Sequence, residues 1–349
     1  MTSTQLEKIP LHFLIGIGRS GTTLLTSMLN SHPNLLAAPE NNFLLFFQNY
    51  FKNKNFTSEK DRQLFLDNFN KKTDRTISIW RPDKAYIQHI FDQFPNGISY
   101  QNLCKLIYLD YGKQYSKTST AIVDKNPLYT LHCAALKTLF PSAKFIALVR
   151  DYRDNLVSQK KHFKGLVNST AIHNSVWKIY YQHVLEFKKK FPQDVLVVRY
   201  EDLVTDSEKK LNEICEHIGV EFDEQMLDFQ SNAEKLKKQS ETQLGQKELA
   251  IINEMHGNLT KPVHQQRINV WRNELFKNDV RTVEFISGKL GKAFAYEQSE
   301  KSHMLEKCWM LLKTFPFVLY AEVYTILFAR MYYYLPLGLR LFFINLRKS

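Results

Sequence analysis

A glycine turn between a strand pattern and a helical pattern carries the first chemical signal of the chain. Residues 11–15 are mostly apolar, Gly16, Gly18 and Gly21 then permit a tight turn, and the apolar positions of residues 24–29 fall on one helical face. A strand, a turn and a helix N-terminus together present main-chain N–H groups and a positive dipole end to an anion. The pattern predicts a phosphate site, although an ordinary strand-to-helix turn has the same pattern.

The side chains of this turn argue against a nucleoside triphosphate. Gly16 and Gly21 have the spacing of P-loop glycines, and Thr23 stands at the Ser/Thr position of that motif. Thr22 occupies the lysine position, and a cation appears earlier, as Arg19. Because the P-loop lysine reaches the outer phosphates of ATP, its replacement favours a nucleotide with one phosphate-like group at its 5′ end.

Two later strand patterns each end in a cation. Residues 120–125 are typical of a short strand that ends in Lys125, and residues 144–149 of a buried strand that is followed by Arg150. Open α/β sheets collect their ligands at the carboxyl ends of their strands, so both cations are candidates for binding an anion.

The segment that follows Arg150 is expected to be a helix and contains hydroxyl side chains. An arginine at a strand end and a hydroxyl on the next helix can hold a phosphate through forked, charge-assisted hydrogen bonds. The alternative is an ion pair between Arg150 and either Asp151 or Asp154.

These motifs resemble those of sulfotransferases that use 3′-phosphoadenosine 5′-phosphosulfate (PAPS), in particular the tyrosylprotein sulfotransferase branch. The pentapeptide of residues 19–23 is similar to the 5′-phosphosulfate loop, DKNPLYTL resembles a segment whose lysine approaches the transferring sulfuryl group, and FPSAKFIALVRDYRDNLVS resembles the 3′-phosphate motif. The resemblance implies that the cofactor is bound by Arg19, Ser20, Gly21, Thr22, Thr23, Arg150 and Ser158, with Lys125 and Arg19 also acting in catalysis.

Three more residues take roles from the same resemblance. Glu40 lies 21 positions after Arg19, as the catalytic glutamate of that branch does, although Ala-Pro-Glu replaces its Gly-Glu-Glu context. A glutamate there would remove the proton of an acceptor hydroxyl, and a solvated loop acid is the alternative. Tyr200 in VRYEDLV matches a tyrosine near the cofactor. Lys261, in a KPV segment that precedes Trp271, matches a lysine that helps to hold the nucleotide.

The elements that must position these residues predict a P-loop-like, three-layer α/β fold with a mainly parallel sheet flanked by helices. We assign residues 1–300 to a sulfotransferase domain, in which the mainly helical residues 41–120 are a candidate acceptor-binding insertion. Thr205 and Glu208 predict a capping box for a helix that Gly219 ends.

Composition narrows the class of protein. The 349 residues carry a net charge of +12, which suits a polyanionic cofactor, an anionic membrane or nucleic acid. The basic residues are dispersed without a zinc-finger or RNP-type motif, so we expect no nucleic-acid partner. Four widely separated cysteines and the lack of a metal-ligand pattern predict a reducing compartment, no disulfide framework and no metal. The N-terminus has no apolar stretch before the first strand, and we expect a cytoplasmic protein.

The segment from residue 301 to residue 349 has a different composition. It is aromatic and apolar, and its seven basic and two acidic residues give it a net charge of +5. Its uncharged runs are shorter than the roughly 18 residues of a spanning helix. We expect an amphipathic helical tail that lies on an anionic membrane surface at its inner face, with burial in a homodimer interface as the alternative.

The combined prediction is transfer of a sulfuryl group from PAPS to a hydroxyl of an acceptor of unknown identity, such as a glycan, a lipid-linked group or a tyrosine. A P-loop kinase or NTPase would explain the first loop but not the replaced lysine or the second phosphate motif. A non-catalytic nucleotide-binding membrane protein would explain the tail and the basic charge.

Overall fold

Five parallel strands form the sheet on which the protein is built. The computed structural model describes residues 1–73, 84–113, 118–163, 168–231, 265–299 and 303–346. Within these ranges the sheet has the order β2-β3-β1-β4-β5, and every neighbouring pair is parallel. The strands are β1 (Leu11–Gly16), β2 (Leu35–Ala38), β3 (Ala121–Lys125), β4 (Phe145–Val149) and β5 (Val195–Arg199).

Helices connect and cover these strands. In chain order they are α1 (Ser3–Glu7), α2 (Thr22–Ser31), α3 (Phe43–Phe51), α4 (Glu59–Thr73), α5 (Lys84–Gln93), α6 (Tyr100–Lys113), α7 (Cys133–Leu139), α8 (Tyr152–His162), α9 (Thr170–Lys190), α10 (Tyr200–Thr205), α11 (Ser207–Ile218), α12 (Trp271–Glu274), α13 (Lys277–Gly291), α14 (Met304–Tyr324) and α15 (Leu337–Leu346). Short 3₁₀ turns lie at Pro127–His132, Glu224–Met226, Gln265–Arg267, Lys292–Phe294 and Met331–Tyr334, and a π-helical turn at Thr325–Arg330.

The two faces of the sheet are both buried, which explains the continuous apolar runs of its strands. Alternate side chains of β1 enter different cores: Phe13 and Ile15 join the larger one, and Leu14 joins the smaller one. Helices α2 and α11 cover the smaller core, while the larger core lies beneath α3, α6 and α9. The predicted three-layer α/β fold with a mainly parallel sheet is confirmed.

Strand β2 is an element that the sequence pattern did not reveal. Its four residues, Leu-Leu-Ala-Ala, are all buried and pair with β3 at the edge of the sheet. The run is too short to show a period, and it follows α2 after a break of only three residues. The strand places Glu40, the predicted base, at the carboxyl edge of the sheet.

The residues proposed as an acceptor-binding insertion, 41–120, contain α3 to α6 and are mainly helical where the structure describes them. Their aromatic side chains pack on one another and belong to the same core as the sheet, among them Phe43, Phe47, Phe51, Phe56, Phe65, Phe91 and Tyr100. This segment therefore shares its packing with the sheet rather than forming a separate core.

The C-terminal tail begins with α14, which lies against α9. Among the described residues, one helical stretch, Met304–Tyr334, is long and apolar enough to cross a membrane, with a mean hydropathy of 1.4 in its most apolar window. Charged residues, among them Lys313, Glu322 and Arg330, interrupt this stretch, so it contains no long uncharged run. Only 18% of it is buried inside the protein.

Candidate active site

The turn after β1 has a backbone that its glycines make possible. Gly16 has a φ of 148°, Gly21 a φ of 93° and Arg19 a φ of 69°. A Cβ on Gly16 would lie 2.6 Å from the carbonyl oxygen of Leu148, so the turn packs directly on β4. A non-glycine residue at positive φ costs energy and is frequent at functional sites, which makes Arg19 notable.

Helix α2 starts at this turn with its amides available to a ligand. Gly21 is the N-cap residue, and no described side chain caps this end. The first amides of a helix have no intrahelical acceptor, so those of Thr22 and Thr23 face the mouth of the turn together with the positive end of the helix dipole. An anion is the natural partner for them.

Ser20 stabilises the turn from inside. Its side chain is fully buried, and its Oγ lies 3.1 Å from the hydroxyl of Tyr181 and 3.2 Å from Nδ2 of Asn155. Asn155 and Gln159 both donate to the carbonyl of Gly18, at 3.0 and 3.1 Å. In this structure Ser20 therefore shapes the loop.

Arg150, Ser158 and Arg19 come together at the carboxyl end of β4. Nε of Arg19 donates to Oγ of Ser158 at 3.2 Å, and Nη1 of Arg150 donates to the carbonyl of Arg19 at 3.2 Å. Nη2 of Arg150 donates to the carbonyl of Arg267 at 2.7 Å. Nε of Arg150 is buried and has no hydrogen-bond partner among the described residues. A buried donor without an acceptor is costly, and a bound anion would relieve that cost.

Tyr200 completes this corner. The Arg150 guanidinium lies 4.7 Å from the centre of its ring, as a cation–π contact requires. The same ring packs so closely on Gly21 that a Cβ there would overlap it. Tyr200 therefore joins the α2 end of the site to the β4 end.

The carboxylates near Arg150 have other partners. Asp151 pairs with Arg153 at 2.7 Å, and Arg153 also reaches Glu284 at 3.0 Å. Within the described ranges neither Asp151 nor Asp154 forms a salt bridge with Arg150, although the charge of Arg150 opposes the rise in the pKa of Asp154.

Asp154 holds the chain segment that lies over Arg150. It accepts hydrogen bonds from the amides of Asn269 and Trp271, at 2.7 and 2.9 Å. Burial raises the pKa of Asp154 to about 6, and the Trp271 amide opposes that shift. This carboxyl thus fixes the segment whose Arg267 carbonyl receives Arg150.

Lys125 and Glu40 form a second cluster, at the carboxyl ends of β3 and β2. Nζ of Lys125 donates to Oε1 of Glu40 at 2.7 Å. The lysine side chain is 6% exposed and the glutamate 46%, so the carboxylate opens to solvent while the cation is enclosed. Because the carboxylate of Glu40 is accessible from solvent, it can accept a proton from the hydroxyl group of an entering acceptor.

Hydrogen bonds fix both ends of this pair. The hydroxyl of Tyr129 donates to the carbonyl of Asn41 at 3.2 Å, and Asn126 donates to the side chain of Asn42. These contacts tie the residues after Glu40 to the residues after Lys125.

Asp124 lies beneath the pair and is fully buried. Burial raises its pKa to about 7, whereas the hydrogen bond from Tyr108 and the charge of Lys125 oppose that shift. The Tyr108 hydroxyl donates to its Oδ2, while its Oδ1 has no hydrogen-bond partner among the described residues.

Two predictions concern residues or ligands outside these clusters. Lys261 lies outside the described residues, so its predicted role stays a prediction. In the described part of the chain no group of three or more His, Cys, Asp or Glu side chains could hold a metal ion.

Sequence reasoning missed the residues that support the site. Asn155 and Gln159 lie one turn apart on α8, beside Ser158, so a polar face on the helix after Arg150 was a usable signal. Asp124 is a carboxylate inside an otherwise apolar strand, which was a second signal. Thr130, whose Oγ1 exchanges hydrogen bonds of 2.8 and 2.7 Å with the amide and carbonyl of Gly16, had none.

The sequence was compared with those of known proteins and protein families. A sequence model of the sulfotransferase family matches residues 10–224. Protein-tyrosine sulfotransferase 2 of Gallus gallus is 23% identical over 273 residues, which cover 76% of this chain and 64% of that protein. Protein-tyrosine sulfotransferase A of Caenorhabditis elegans is 22% identical over 223 residues, which cover 62% of this chain and 52% of that protein. The chain thus spans between about half and two thirds of the length of these relatives.

A solved structure shares the fold. The sulfotransferase domain of the Synechococcus PCC 7002 olefin synthase aligns with 83% of this chain and 96% of its own, with a TM-score of 0.53 and 22% identity. The two curated relatives are protein-tyrosine sulfotransferases, in agreement with the resemblance to that branch. Since the family model covers more than half of the chain, including the turn after β1, Arg150, Ser158 and the Lys125–Glu40 pair, the protein belongs to the sulfotransferase family.

Proposed function

We propose that this protein transfers a sulfuryl group from PAPS to a hydroxyl group of an acceptor. The observation that carries the proposal is the corner formed by Arg150, Ser158 and Arg19, where a buried guanidinium nitrogen lacks an acceptor beside the N-terminus of α2. A nucleotide with phosphate groups on both its 3′ and 5′ sides would satisfy both features at once. Membership of the sulfotransferase family supports the same donor.

Different residues of the site would bind the 3′ and the 5′ side of the donor. Arg150 and Ser158 would hold the 3′-phosphate, because a guanidinium and a hydroxyl together form charge-assisted hydrogen bonds. The amides of Thr22 and Thr23 and the side chain of Arg19 would hold the 5′ side. Tyr200 keeps the guanidinium of Arg150 in place. When bound, the donor supplies the sulfuryl group and leaves as 3′,5′-adenosine bisphosphate.

Glu40 would act on the acceptor hydroxyl, and Lys125 would act on the leaving group. Glu40 accepts the proton of the acceptor hydroxyl while the oxygen of that hydroxyl forms a bond to sulfur. The sulfur–oxygen bond to the leaving group breaks in the same in-line displacement. Negative charge grows on the departing oxygen, and Lys125, Arg19 and the loop amides stabilise it because they are fixed before the reaction begins.

The acceptor and the location are further parts of this proposal. The curated relatives are named for protein tyrosine. We favour a glycan or a lipid-linked hydroxyl for this chain, since its exposed apolar tail would bring the site to a membrane. A cytoplasmic location at the inner membrane face agrees with four cysteines that are all free thiols.

Selective binding of the product nucleotide tests the donor. Thermal unfolding is measured with 3′,5′-adenosine bisphosphate, 5′-AMP or ATP at equal concentration. At about 100 times its dissociation constant a ligand of the native state adds roughly 2.7 kcal/mol to the free energy of unfolding. We expect this gain with the bisphosphate and a much smaller one with the other two.

A matched pair of serine variants locates the effect. Ser158→Ala should lose most of the preference for the bisphosphate over 5′-AMP, because the two nucleotides differ only in the 3′-phosphate. Ser142→Ala, an exposed position before β4 at the opposite edge of the sheet, should keep it. Preference for ATP, or an unchanged preference in Ser158→Ala, would contradict the proposal.

A further inference from the structure

Helix α14 presents its apolar side to solvent. Met310, Thr314 and Ala321 follow one stripe of the helix and are buried, because this stripe lies against the body of the protein. Leu305, Leu312 and Leu319 recur every seven residues on the opposite side, where they are 87%, 73% and 47% exposed. A helix on the surface of a soluble protein has the reverse arrangement, so the outer side of α14 requires an apolar partner.

The exposed apolar surface is concentrated in this tail. Of the 22 exposed large hydrophobic side chains in the described ranges, 18 lie between Met304 and Phe343. They include the aromatic residues Trp309, Phe315, Tyr320, Tyr324, Tyr334, Phe342 and Phe343. Tyrosine and tryptophan have a polar end and an apolar ring, which suits the boundary between lipid and water.

The charges of the tail favour lipid over a second copy of the chain. Lys307 and Lys313 are exposed on the two flanks of α14, on either side of its buried stripe, and Arg330 follows the helix. The whole segment from residue 301 to residue 349 carries a net charge of +5. Glu306 and Glu322 also lie on α14, Arg340 is buried, and Lys301, Arg347 and Lys348 lie outside the described residues. Two copies placed tail to tail would oppose these charges, whereas an anionic bilayer complements them.

The packing of α14 decides its orientation. The helix has 21 residues and a length of about 31 Å, which is enough to span a bilayer. Its buried stripe, however, lies along α9, which carries Trp177 and Tyr181 of the main core. A bilayer cannot surround α14 without also enclosing that core, so the helix must lie in the plane of the membrane.

We propose that the outer side of α14, continued by the exposed residues up to Phe343, is a docking surface for an anionic lipid bilayer, in which the helix lies parallel to the membrane. The apolar stripe enters the interface, and the flanking lysines reach the headgroups. Docking is a property of the tail and does not depend on sulfuryl transfer, so vesicle binding tests it separately from nucleotide binding.

Vesicle flotation with the full chain tests the docking surface. We compare vesicles of phosphatidylcholine alone with vesicles that contain three tenths phosphatidylserine. The chain should float with the anionic vesicles, and Lys307→Gln/Lys313→Gln should weaken this binding about tenfold or more. Leu312→Gln/Leu319→Gln should weaken it on the order of a hundredfold.

A control pair and a folding check accompany these variants. Phe163→Gln/Phe276→Gln removes two exposed aromatic side chains outside the tail and should bind as the unaltered chain does. Far-UV circular dichroism spectra and cooperative urea unfolding should be the same in all variants, which shows that they fold. Flotation that ignores lipid charge, or that survives loss of the two leucines, overturns the proposal, as does a lipid-free dimer that only the leucine variant breaks.

The cysteines of the chain allow the orientation to be measured. Cys308 is exposed on α14, while Cys104, Cys133 and Cys215 are buried, so a thiol-reactive fluorophore should label Cys308 selectively. Leu319→Cys in a Cys308→Ser background places the same probe near the middle of Met304–Tyr334. Lipids with quenchers at different depths should locate both probes in the shallow interface. A probe at residue 319 near the bilayer centre would mean a spanning helix and overturn the proposed orientation.

Discussion

At the scale of single residues, the proposed base, Glu40, lies beside a cation that would stabilise the leaving group, Lys125. Nζ of Lys125 is 2.7 Å from Oε1 of Glu40. The two residues are 85 positions apart in sequence; Lys125 is the last residue of β3, and Glu40 comes shortly after the end of β2. Their roles differ in exposure, since the lysine is enclosed and the carboxylate reaches solvent. An acceptor can therefore approach Glu40 while Lys125 stays fixed.

Glu40→Gln tests the base. The amide keeps the size of the side chain but cannot take a proton, so turnover should fall by about 10²–10⁴ while binding of 3′,5′-adenosine bisphosphate is unchanged. Glu186→Gln, on the exposed side of α9, serves as the matched control. Sulfate transfer at the full rate in Glu40→Gln would exclude Glu40 as the base.

Asp124 gives the stability of the protein a pH dependence. Its pKa rises from the ordinary 3.8 to about 7 because the carboxyl is buried. Between these values the native state holds more protons than the unfolded state, so the stabilising contribution present at low pH is lost as the pH rises through 7. The slope can reach about 1.4 kcal/mol per pH unit.

Urea unfolding between pH 5 and pH 8 measures this contribution. Asp124→Asn should decrease the loss of stability over that range, because its side chain stays neutral. Asp154, whose pKa is also raised, is unchanged in both proteins, so the difference between them isolates Asp124. Equal pH profiles for the two proteins would show that Asp124 does not titrate there.

At the scale of elements, two glycines at positive φ allow a controlled test of the turn. Gly21 begins α2 at a φ of 93° against Tyr200, and Gly219 ends α11 at a φ of 74° with open space around it. Gly219→Ala should cost about 1 kcal/mol of strain and leave nucleotide binding intact. Gly21→Ala adds a clash with Tyr200 and should weaken binding of the bisphosphate at least about tenfold. Similar nucleotide affinity in both variants would show that the Tyr200 contact does not shape the site.

The sequence predicted those elements whose pattern is long or chemically distinctive. Apolar runs predict strands β1, β3, β4 and β5, and a glycine predicts the end of α11 at Gly219. The capping box was wrong: Asp206 caps α11 by accepting from the amide of Lys209, because the short helix α10 already contains Thr205.

The parts of the site that sequence could not supply are those that depend on distant packing. Nothing in the local pattern indicates that Thr130 forms hydrogen bonds with Gly16, since the two are 114 residues apart. The meeting of Arg19 with Ser158 also required the fold, because the resemblance assigned them to different ends of the nucleotide. Family motifs identify residue types, whereas their partners follow from the topology of the sheet.

At the scale of the whole molecule, the tail is part of the folded body as well as an exposed surface. Nε2 of His132 lies 2.8 Å from the carbonyl of Ala329, and Asn49 donates to the carbonyl of Tyr334 at 3.0 Å. His132 belongs to the 3₁₀ turn after Lys125, and Asn49 to the helix after Glu40. The tail thus packs on both elements that flank the proposed reaction site.

A chain that ends at residue 302 should therefore be less stable than the full chain in denaturant unfolding. The loss of buried Met310, Tyr333 and Leu337 exposes their contacts on the body, with a cost of several kcal/mol. Leu312→Gln/Leu319→Gln changes only exposed positions and should keep the full stability. Equal stability of the truncated and full chains would support residues 301–349 as an independent appendage.

The order of the strands also determines when this protein can fold during its synthesis. Strand β1 finds its partners only at Ile122 and Phe145, more than a hundred residues later, and β2 must wait for β3. Contacts of such long sequence separation form slowly, because loop closure must come first. The phenylalanine-rich helix α3 leaves the ribosome well before the sheet that buries it, so the growing chain exposes an aggregation-prone segment. Chaperones that bind aromatic segments during translation should consequently have a larger effect on the yield of this protein than on its final stability.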